Sequence, residues 1–272
     1  MAEELKGDYR IGWFSTGRDE AACHLLRAVW HSIEEGKIKA EITFVFSNRE
    51  PGETAESDLF FELVKSYRIP LICLSSKRLK KSNVERWKGD FEKEVMRKLE
   101  GTRPGPDLFV LAGYMLIVGK EICQRYPMIN LHPAAPGGPK GTWQEVIWQL
   151  IESKAEESGA MMHLVTPQLD EGPEVTYCTF SIRGKPFNRY WDEIKNRSIV
   201  EVKEQEGERN PLFQEIRRHG LAREFPLIIA TIKAFSENRV RIAGESVVDS
   251  NRKPIKGYNL SDEIDEKVRG TL

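Results

Sequence analysis

With 272 residues, 40% of them hydrophobic and 31% charged, the chain has ordinary globular composition and room for one elaborated α/β domain or two small ones. Its net charge of −1 and pI near 6.6 supply no basic field to hold a polyphosphate backbone, which argues against nucleic acid as a main partner. The longest apolar runs, such as Leu108 to Leu111, fall far short of a membrane span, and Met1 to Lys6 is too charged for a secretion signal. Four widely separated cysteines (Cys23, Cys73, Cys123, Cys178) point to a reducing cytoplasm, not to disulfides or a zinc site.

Tyr9 to Phe14 reads as a first strand, followed by Ser15-Thr16-Gly17-Arg18-Asp19. Asp19 is placed to N-cap a helix that carries Ala22, Leu25, Leu26, Val29, Trp30 and Ile33 on its apolar side and ends at Gly36. A strand, a tight glycine turn and a helix offer backbone N–H groups to an anion, and Arg18 adds a guanidinium suited to phosphate or carboxylate. One glycine is too few for a dinucleotide or P-loop fingerprint. Gly17 and Arg18 are therefore candidate anion contacts, with a plain capped turn as the competing reading.

Glu41 to Ser47 is a second strand ending in Ser47-Asn48-Arg49, Thr54 to Tyr67 has helical spacing, and Pro70 to Leu74 is a short third strand. Ser75 to Gly89 reads as a lysine-rich loop or broken helix with a solvated charge run, and Asp90 to Leu99 as a helix. Leu108 to Gly113 is apolar without alternation, the mark of a strand covered on both faces. Strand and helix patterns alternate, which predicts a mostly parallel, doubly wound sheet.

Gly119 to Tyr126, a short helix, leads into the buried strand Met128 to Leu131. That strand delivers Asn130 and His132, two residues apart and so on one face, to the loop Ala134 to Gly141. An amide donor and an imidazole at the C-terminal end of a strand can hydrogen-bond and exchange protons with one carbonyl; the competing reading has them satisfying loop backbone. Thr142-Trp143-Gln144-Glu145 has the form of a capping box and opens a helix through Ile151. Gly159 to Val165 and Glu174 to Ile182 are strands joined by Thr166 to Pro173, with Asp170 at the turn and Gly172-Pro173 fixing the backbone beyond it.

Beyond Arg183 the texture changes. Asn188 to Arg209 is highly charged, with Trp191, Ile194, Ile199 and Val202 as its few anchors. Asn210 to Arg218 and Glu224 to Phe235 read as two helices, and Arg239 to Ile242 and Ser246 to Asp249 as a hairpin. The expected organisation is an α/β domain over 1–183, a charged insertion over 184–209, and C-terminal helices and hairpin over 210–272 packing on the same domain.

Leu111-Ala112-Gly113-Tyr114-Met115, Ile129-Asn130-Leu131-His132-Pro133 and Leu169-Asp170-Glu171-Gly172-Pro173, in this order and at these intervals, resemble the folate-dependent formyltransferases, and among them the phosphoribosylglycinamide branch. The resemblance starts at Arg10, resumes at Phe225-Pro226-Leu227-Ile228 and runs to Lys256-Gly257-Tyr258. It implies a Rossmann-like formyltransferase fold and an enzyme that passes a formyl group from 10-formyltetrahydrofolate, as cosubstrate, to a primary amine. Glycinamide ribonucleotide of purine synthesis is the default acceptor. An amino sugar nucleotide, water (formyltetrahydrofolate hydrolysis) and a non-catalytic binding protein are the alternatives. The resemblance makes Asn130, His132 and Asp170 the catalytic set. It also implies a folate wall at Met115, Leu116, Ile117 and Val118, with pterin contacts from backbone between Val165 and Asp170, including Leu169. The partner implied is a small phosphorylated amine, no metal is required, and a homodimer is left open.

The departures fall on the acceptor side. Gly17, Arg18 and Asp19 stand where the family's phosphate loop usually reads Gly-Ser-Asn. Where a basic residue and a glutamate hold phosphate and ribose, this chain has Arg218 and Leu221. Leu221 cannot accept a hydrogen bond from ribose, so Glu224 takes that role or the contact is lost. A normally basic position in the folate wall is Leu116, and the loop after His132 departs from the family's usual Ser-Leu-Leu-Pro.

Overall fold

The computed structural model describes residues 8–168 and 170–272. In chain order its elements are β1 (Tyr9–Phe14), α1 (Glu20–Glu34), β2 (Ala40–Ser47), α2 (Ala55–Ser66), β3 (Leu71–Cys73), α3 (Ser76–Ser82), α4 (Trp87–Glu100), β4 (Leu108–Leu111), α5 (Lys120–Arg125) and β5 (Met128–His132). They continue with α6 (Trp143–Glu152), β6 (Glu157–Leu164), β7 (Glu174–Ser181), α7 (Asn188–Ile194), α8 (Ile199–Gln205), α9 (Pro211–Ser236), β8 (Val240–Ala243), β9 (Ser246–Asp249), β10 (Tyr258–Asn259) and α10 (Ser261–Val268).

Eight strands form one sheet in the order β10-β7-β6-β5-β4-β1-β2-β3, and β8 and β9 pair separately. β1 is parallel to β2 and β4, β2 to β3, β4 to β5 and β10 to β7, whereas β6 and β7 are antiparallel. This is the mostly parallel α/β sheet that the alternating sequence pattern predicts.

Two compact units share the chain. One runs through Asn130 and takes in Leu164–Pro173 and Ile232–Pro254; the other holds Leu131–His163, Glu174–Thr231 and Ile255–Leu272. In the first, β4 is buried at all four positions and β1 at its last four. Phe14 is the hub of its core, 4.7 Å from Phe46, 5.7 Å from Phe109 and 5.5 Å from Tyr114 between ring centroids. Full burial of such rings is worth about 1.5–3 kcal/mol each. Helices α1 and α2 start on side-chain caps, with Asp19 accepting from the Ala22 amide and Thr54 from the Ser57 amide.

In the second unit the core joins Trp148 and Phe213, 5.1 Å apart, to Phe187, Trp191, Ile194 and Val202. The Trp191 indole donates to the Ile182 carbonyl at 2.7 Å, and the Arg183 guanidinium lies 4.0 Å from its ring. The charged stretch after Arg183 is thus tied down by its few apolar residues. At α6 both halves of the Thr142–Glu145 capping box form, and the Thr142 amide and hydroxyl hold the Glu145 carboxyl below its usual range.

Two local features differ from the sequence reading. The two helices expected over 210–235 are one helix, α9, which passes through Pro226. Proline removes a single backbone hydrogen bond, and apolar residues buried on both sides of it (Phe213, Ile216, Leu227, Ile228) hold the turns in line. The lysine-rich stretch after Ser75, read as a loop or broken helix, is a broken helix: α3, capped by the Ser75 hydroxyl, ends at Ser82 and α4 begins at Trp87. A further helix, α10, follows Leu260 and buries Ile264 and Val268.

Arg223 ties α9 to α10. It is 7% exposed, donates to the His219 carbonyl at 3.1 Å, and pairs with Asp265 at 2.8 Å. Removing Asp265 strands a buried cation, whereas removing the arginine strands only a carboxylate that is half exposed. We expect Asp265→Ala to destabilise the protein by about 2 kcal/mol in denaturant unfolding, and Arg223→Met by less. The reverse order contradicts this reading of the pair. Gly172 gives a second test. A Cβ there would lie 1.7 Å from the Leu164 carbonyl oxygen, which is backbone and cannot move aside alone. Gly172→Ala is expected to cost about 1–3 kcal/mol, read from the same unfolding curves.

Candidate active site

β5 presents its last residues at the carboxyl end of a parallel ladder, where Leu111 of β4 is the register partner of Asn130. Open α/β sheets bind ligands outside this edge. Asn130 is half-buried, and His132, two residues on, is 3% exposed. The His132 Nε2 lies 3.0 Å from the Pro139 carbonyl oxygen. A carbonyl only accepts, so Nε2 is the donor in this contact. The prolyl-glycyl loop thus holds the imidazole in place. His163 of β6, also 3% exposed, meets the His132 ring edge to face, with centroids 6.0 Å apart.

Asp170 lies on the segment after β6. The Val165 amide donates to the Met128 carbonyl at 2.8 Å, and the Leu164 amide to the Pro173 carbonyl at 2.9 Å, closing the segment at both ends. Within it the Thr166 hydroxyl donates to the Gln168 carbonyl at 3.0 Å. Asp170 has φ +53°, the left-handed region that aspartate tolerates better than most side chains. Such backbone recurs where a side chain must be aimed.

Met115, Leu116, Ile117 and Val118 line a cavity of about 480 Å³ whose other walls include Phe14, Trp87, Phe91 and Tyr114. Met115 and Ile117 remain exposed at 48% and 62%. Val165 packs at the edge of the adjoining core cluster, and Leu169 lies outside the described residues.

Of the acceptor-side candidates, Gly17 has φ +60°, and a Cβ on it would lie 2.7 Å from the Phe60 ring. Arg18 pairs with Asp19 at 3.1 Å. Arg218 binds Glu215 with two nitrogens, at 2.5 and 3.2 Å, and this holds the Glu215 carboxyl below its usual range. Glu224 accepts from Arg217 at 2.6 Å, and the Arg217 guanidinium lies 4.5 Å from the Trp143 ring. An anion arriving at Arg18 or Arg218 competes with a carboxylate already in place.

The sequence assigned no role to His163 or to the hydroxyl-rich ends of β1 and β2. There the Thr16 hydroxyl donates to Asn48 at 2.6 Å and accepts from the Met115 amide at 2.9 Å, pinning the cavity segment to the end of β1. Ser47-Asn48-Arg49 was visible as a polar strand end, but its partners lie far away in sequence.

The family model described as formyl transferase matches residues 20–184. The phosphoribosylglycinamide formyltransferase of Escherichia coli is 27% identical over 153 residues, covering 55% of this chain and 64% of that protein. The Saccharomyces cerevisiae protein of the same name is 38% identical over 74 residues, 25% of this chain and 35% of its own length. Formyltetrahydrofolate deformylase 1 of Arabidopsis thaliana is 26% identical over 176 residues, 64% of this chain and 48% of that protein. The chain thus spans less than two thirds of each of these relatives. Among solved structures, a phosphoribosylglycinamide formyltransferase from Coxiella burnetii superposes with a TM-score of 0.68 at 21% identity, over 93% of this chain and 99% of that one. A formyltetrahydrofolate deformylase from Pseudomonas syringae gives 0.60 at 20% identity, over 90% and 66%. At these identities the structural likeness concerns the fold. The family match covers more than half of the residues, and the chain belongs to the formyl transferase family.

Proposed function

We propose that the chain transfers a formyl group from 10-formyltetrahydrofolate to a primary amine, with glycinamide ribonucleotide as the default acceptor. The observation that carries this reading is the end of β5, where Asn130 and a buried, loop-anchored His132 alternate on one strand of a formyl transferase chain. The amine nitrogen attacks the formyl carbon, a C–N bond forms, and the formyl oxygen gains negative charge. Collapse of this tetrahedral intermediate breaks the bond to N10 of the folate; the amine loses a proton and N10 gains one.

Asn130 donates its amide N–H to the developing oxyanion, a contact of a kind whose loss typically costs about 3 kcal/mol. His132 handles the proton, as an imidazole can near neutral pH. Asp170 supplies negative charge for the imidazolium form and accepts the amine's proton directly or through water. Met115 to Val118, with backbone from Val165 onward, provide the apolar wall for the folate. Gly17 and Arg18, and separately Arg218 and Glu224, are read as contacts for the acceptor's phosphate and hydroxyl groups. The stretch 184–209 is read as an addition beyond the family core, whose match ends at residue 184.

A second reading has specific support, because formyltetrahydrofolate deformylases are among the similar proteins. Water then replaces the amine as nucleophile, with the same three side chains in the same roles.

His132→Ala is expected to lower the transfer rate by about 10²–10⁴-fold while leaving the dissociation constant for the folate within about threefold, because the lost interaction belongs to the transition state. Single-turnover kinetics alongside folate titration reads both, and undiminished transfer would contradict the role. Asp170→Asn separates charge from backbone, since asparagine also tolerates the left-handed turn. Its unfolding free energy is expected to stay within about 0.5 kcal/mol of wild type, and its transfer rate to fall by about tenfold or more. Full activity in this variant would remove the carboxylate from the mechanism.

A further inference from the structure

Between residues 77 and 88 six cations stand against one carboxylate, Glu85. Lys77, Lys80 and Lys81 of α3 are exposed and, at spacings of three and four, share a side of the helix. Among the described residues none of the three has a carboxylate within ion-pair reach, whereas Arg78 beside them pairs with Glu50 at 2.8 Å. Like charges at that spacing repel one another, and an anion laid across them relieves the repulsion. The Lys80 Nζ lies 5.9 Å from the centre of the Trp87 ring, and Trp87 and Lys88 open α4 and line the cavity of about 480 Å³. The basic side of α3 thus runs on to the rim of that cavity. The charged residues of the lining are Lys88 and Glu92, and Glu92 already accepts from the Ile122 amide at 3.2 Å.

A molecule that fills an apolar cavity and ends in a run of carboxylates matches both features. 10-Formyltetrahydrofolate ends in a glutamate, and the γ-carboxyl of that glutamate can carry further γ-linked glutamates, each adding one negative charge. We infer that Lys77, Lys80 and Lys81, with Lys88 at the rim, bind this oligoglutamate tail, so that the protein selects oligoglutamylated over monoglutamylated cosubstrate. The inference rests on the formyl-transfer reading above for the identity of the cosubstrate. In that reading the formyl group lies at Asn130, and the opposite end of the molecule leaves the cavity past Leu116, which offers no charge, and Lys88, which does. The first glutamate reaches the rim, and those beyond it lie over α3.

Equilibrium titration of the whole chain with tetrahydrofolate carrying one or five glutamates tests this directly. An exposed ion pair is worth a factor of about 1.5 to 5 in affinity, so three together favour the pentaglutamate by about tenfold or more at low ionic strength. Salt at about 1 M, where the screening length is about 3 Å, brings the two affinities together. Combining Lys77→Gln, Lys80→Gln and Lys81→Gln brings their ratio to within about twofold of one, whereas combining Lys77→Arg, Lys80→Arg and Lys81→Arg keeps the preference, because the charges remain. Thermal melts confirm that each variant is folded. Should the triple glutamine variant fail to fold, Lys81→Gln alone decides, with a fall in the ratio of about twofold or more. Equal affinity for the two tails in wild type, or an undiminished ratio in the folded glutamine variant, overturns the inference. If both folates bind equally well, this inference alone falls; if neither binds, the folate reading falls with it.

Discussion

Parallel pairing of β1, β2 and β4, with β5 beside β4, sets where every polar group of interest can emerge. Register partners Phe14 and Leu111, and then Leu111 and Asn130, bring the strands to a common edge. Up to that edge the last four residues of β1 and all of β4 are buried, and at or just beyond it come Ser15, Thr16, Ser47 and Asn48, all buried and all polar. A buried hydroxyl or amide without a partner costs about 1–3 kcal/mol, so these residues persist only because they bond to one another and to loop backbone. The hydrogen bonds from Thr16 to Asn48 and from the Met115 amide to Thr16 are the visible result.

The same economy shapes the two segments that hold the proposed catalytic groups. On β5, the contact of His132 Nε2 with the Pro139 carbonyl anchors the imidazole at the end of the strand. On the segment after β6, Gly172 lies so close to the Leu164 carbonyl that no side chain fits, while Asp170 adopts a backbone conformation few residues accept. Neither feature is required for a stable α/β sheet. Both restrict the orientation of a polar side chain, which is what electrostatic stabilisation of a transient oxyanion demands.

Much of this was legible in the sequence wherever the signal is local. An unbroken apolar run marked β4, Asp19 and Thr142 marked helix starts, and the alternation of patterns marked the parallel sheet. Asn130 and His132 stood out because a period of two puts both on one face of one strand. Local reading broke down where packing overrides propensity. Residues 219–223, with Gly220, read as a break between two helices, yet α9 runs through them because apolar residues on both sides are buried. Partnerships between distant residues were equally invisible. Nothing near His132 in sequence announces His163, and nothing near Arg49 announces that Ser57 would link it to Gly17. The acceptor-side candidates carried least information, since an arginine has the same local signature whether it awaits a ligand or, like Arg218, is held by a neighbouring glutamate.

The fate of the formyl carbon separates amine transfer from every alternative. 10-Formyltetrahydrofolate labelled in the formyl carbon would be incubated with the chain, with glycinamide ribonucleotide and without it, and the products resolved. Formyl transfer predicts label in the nucleotide, with formate no higher than in the control lacking protein. Label appearing only as formate, with or without the amine, or no turnover at all, would contradict it.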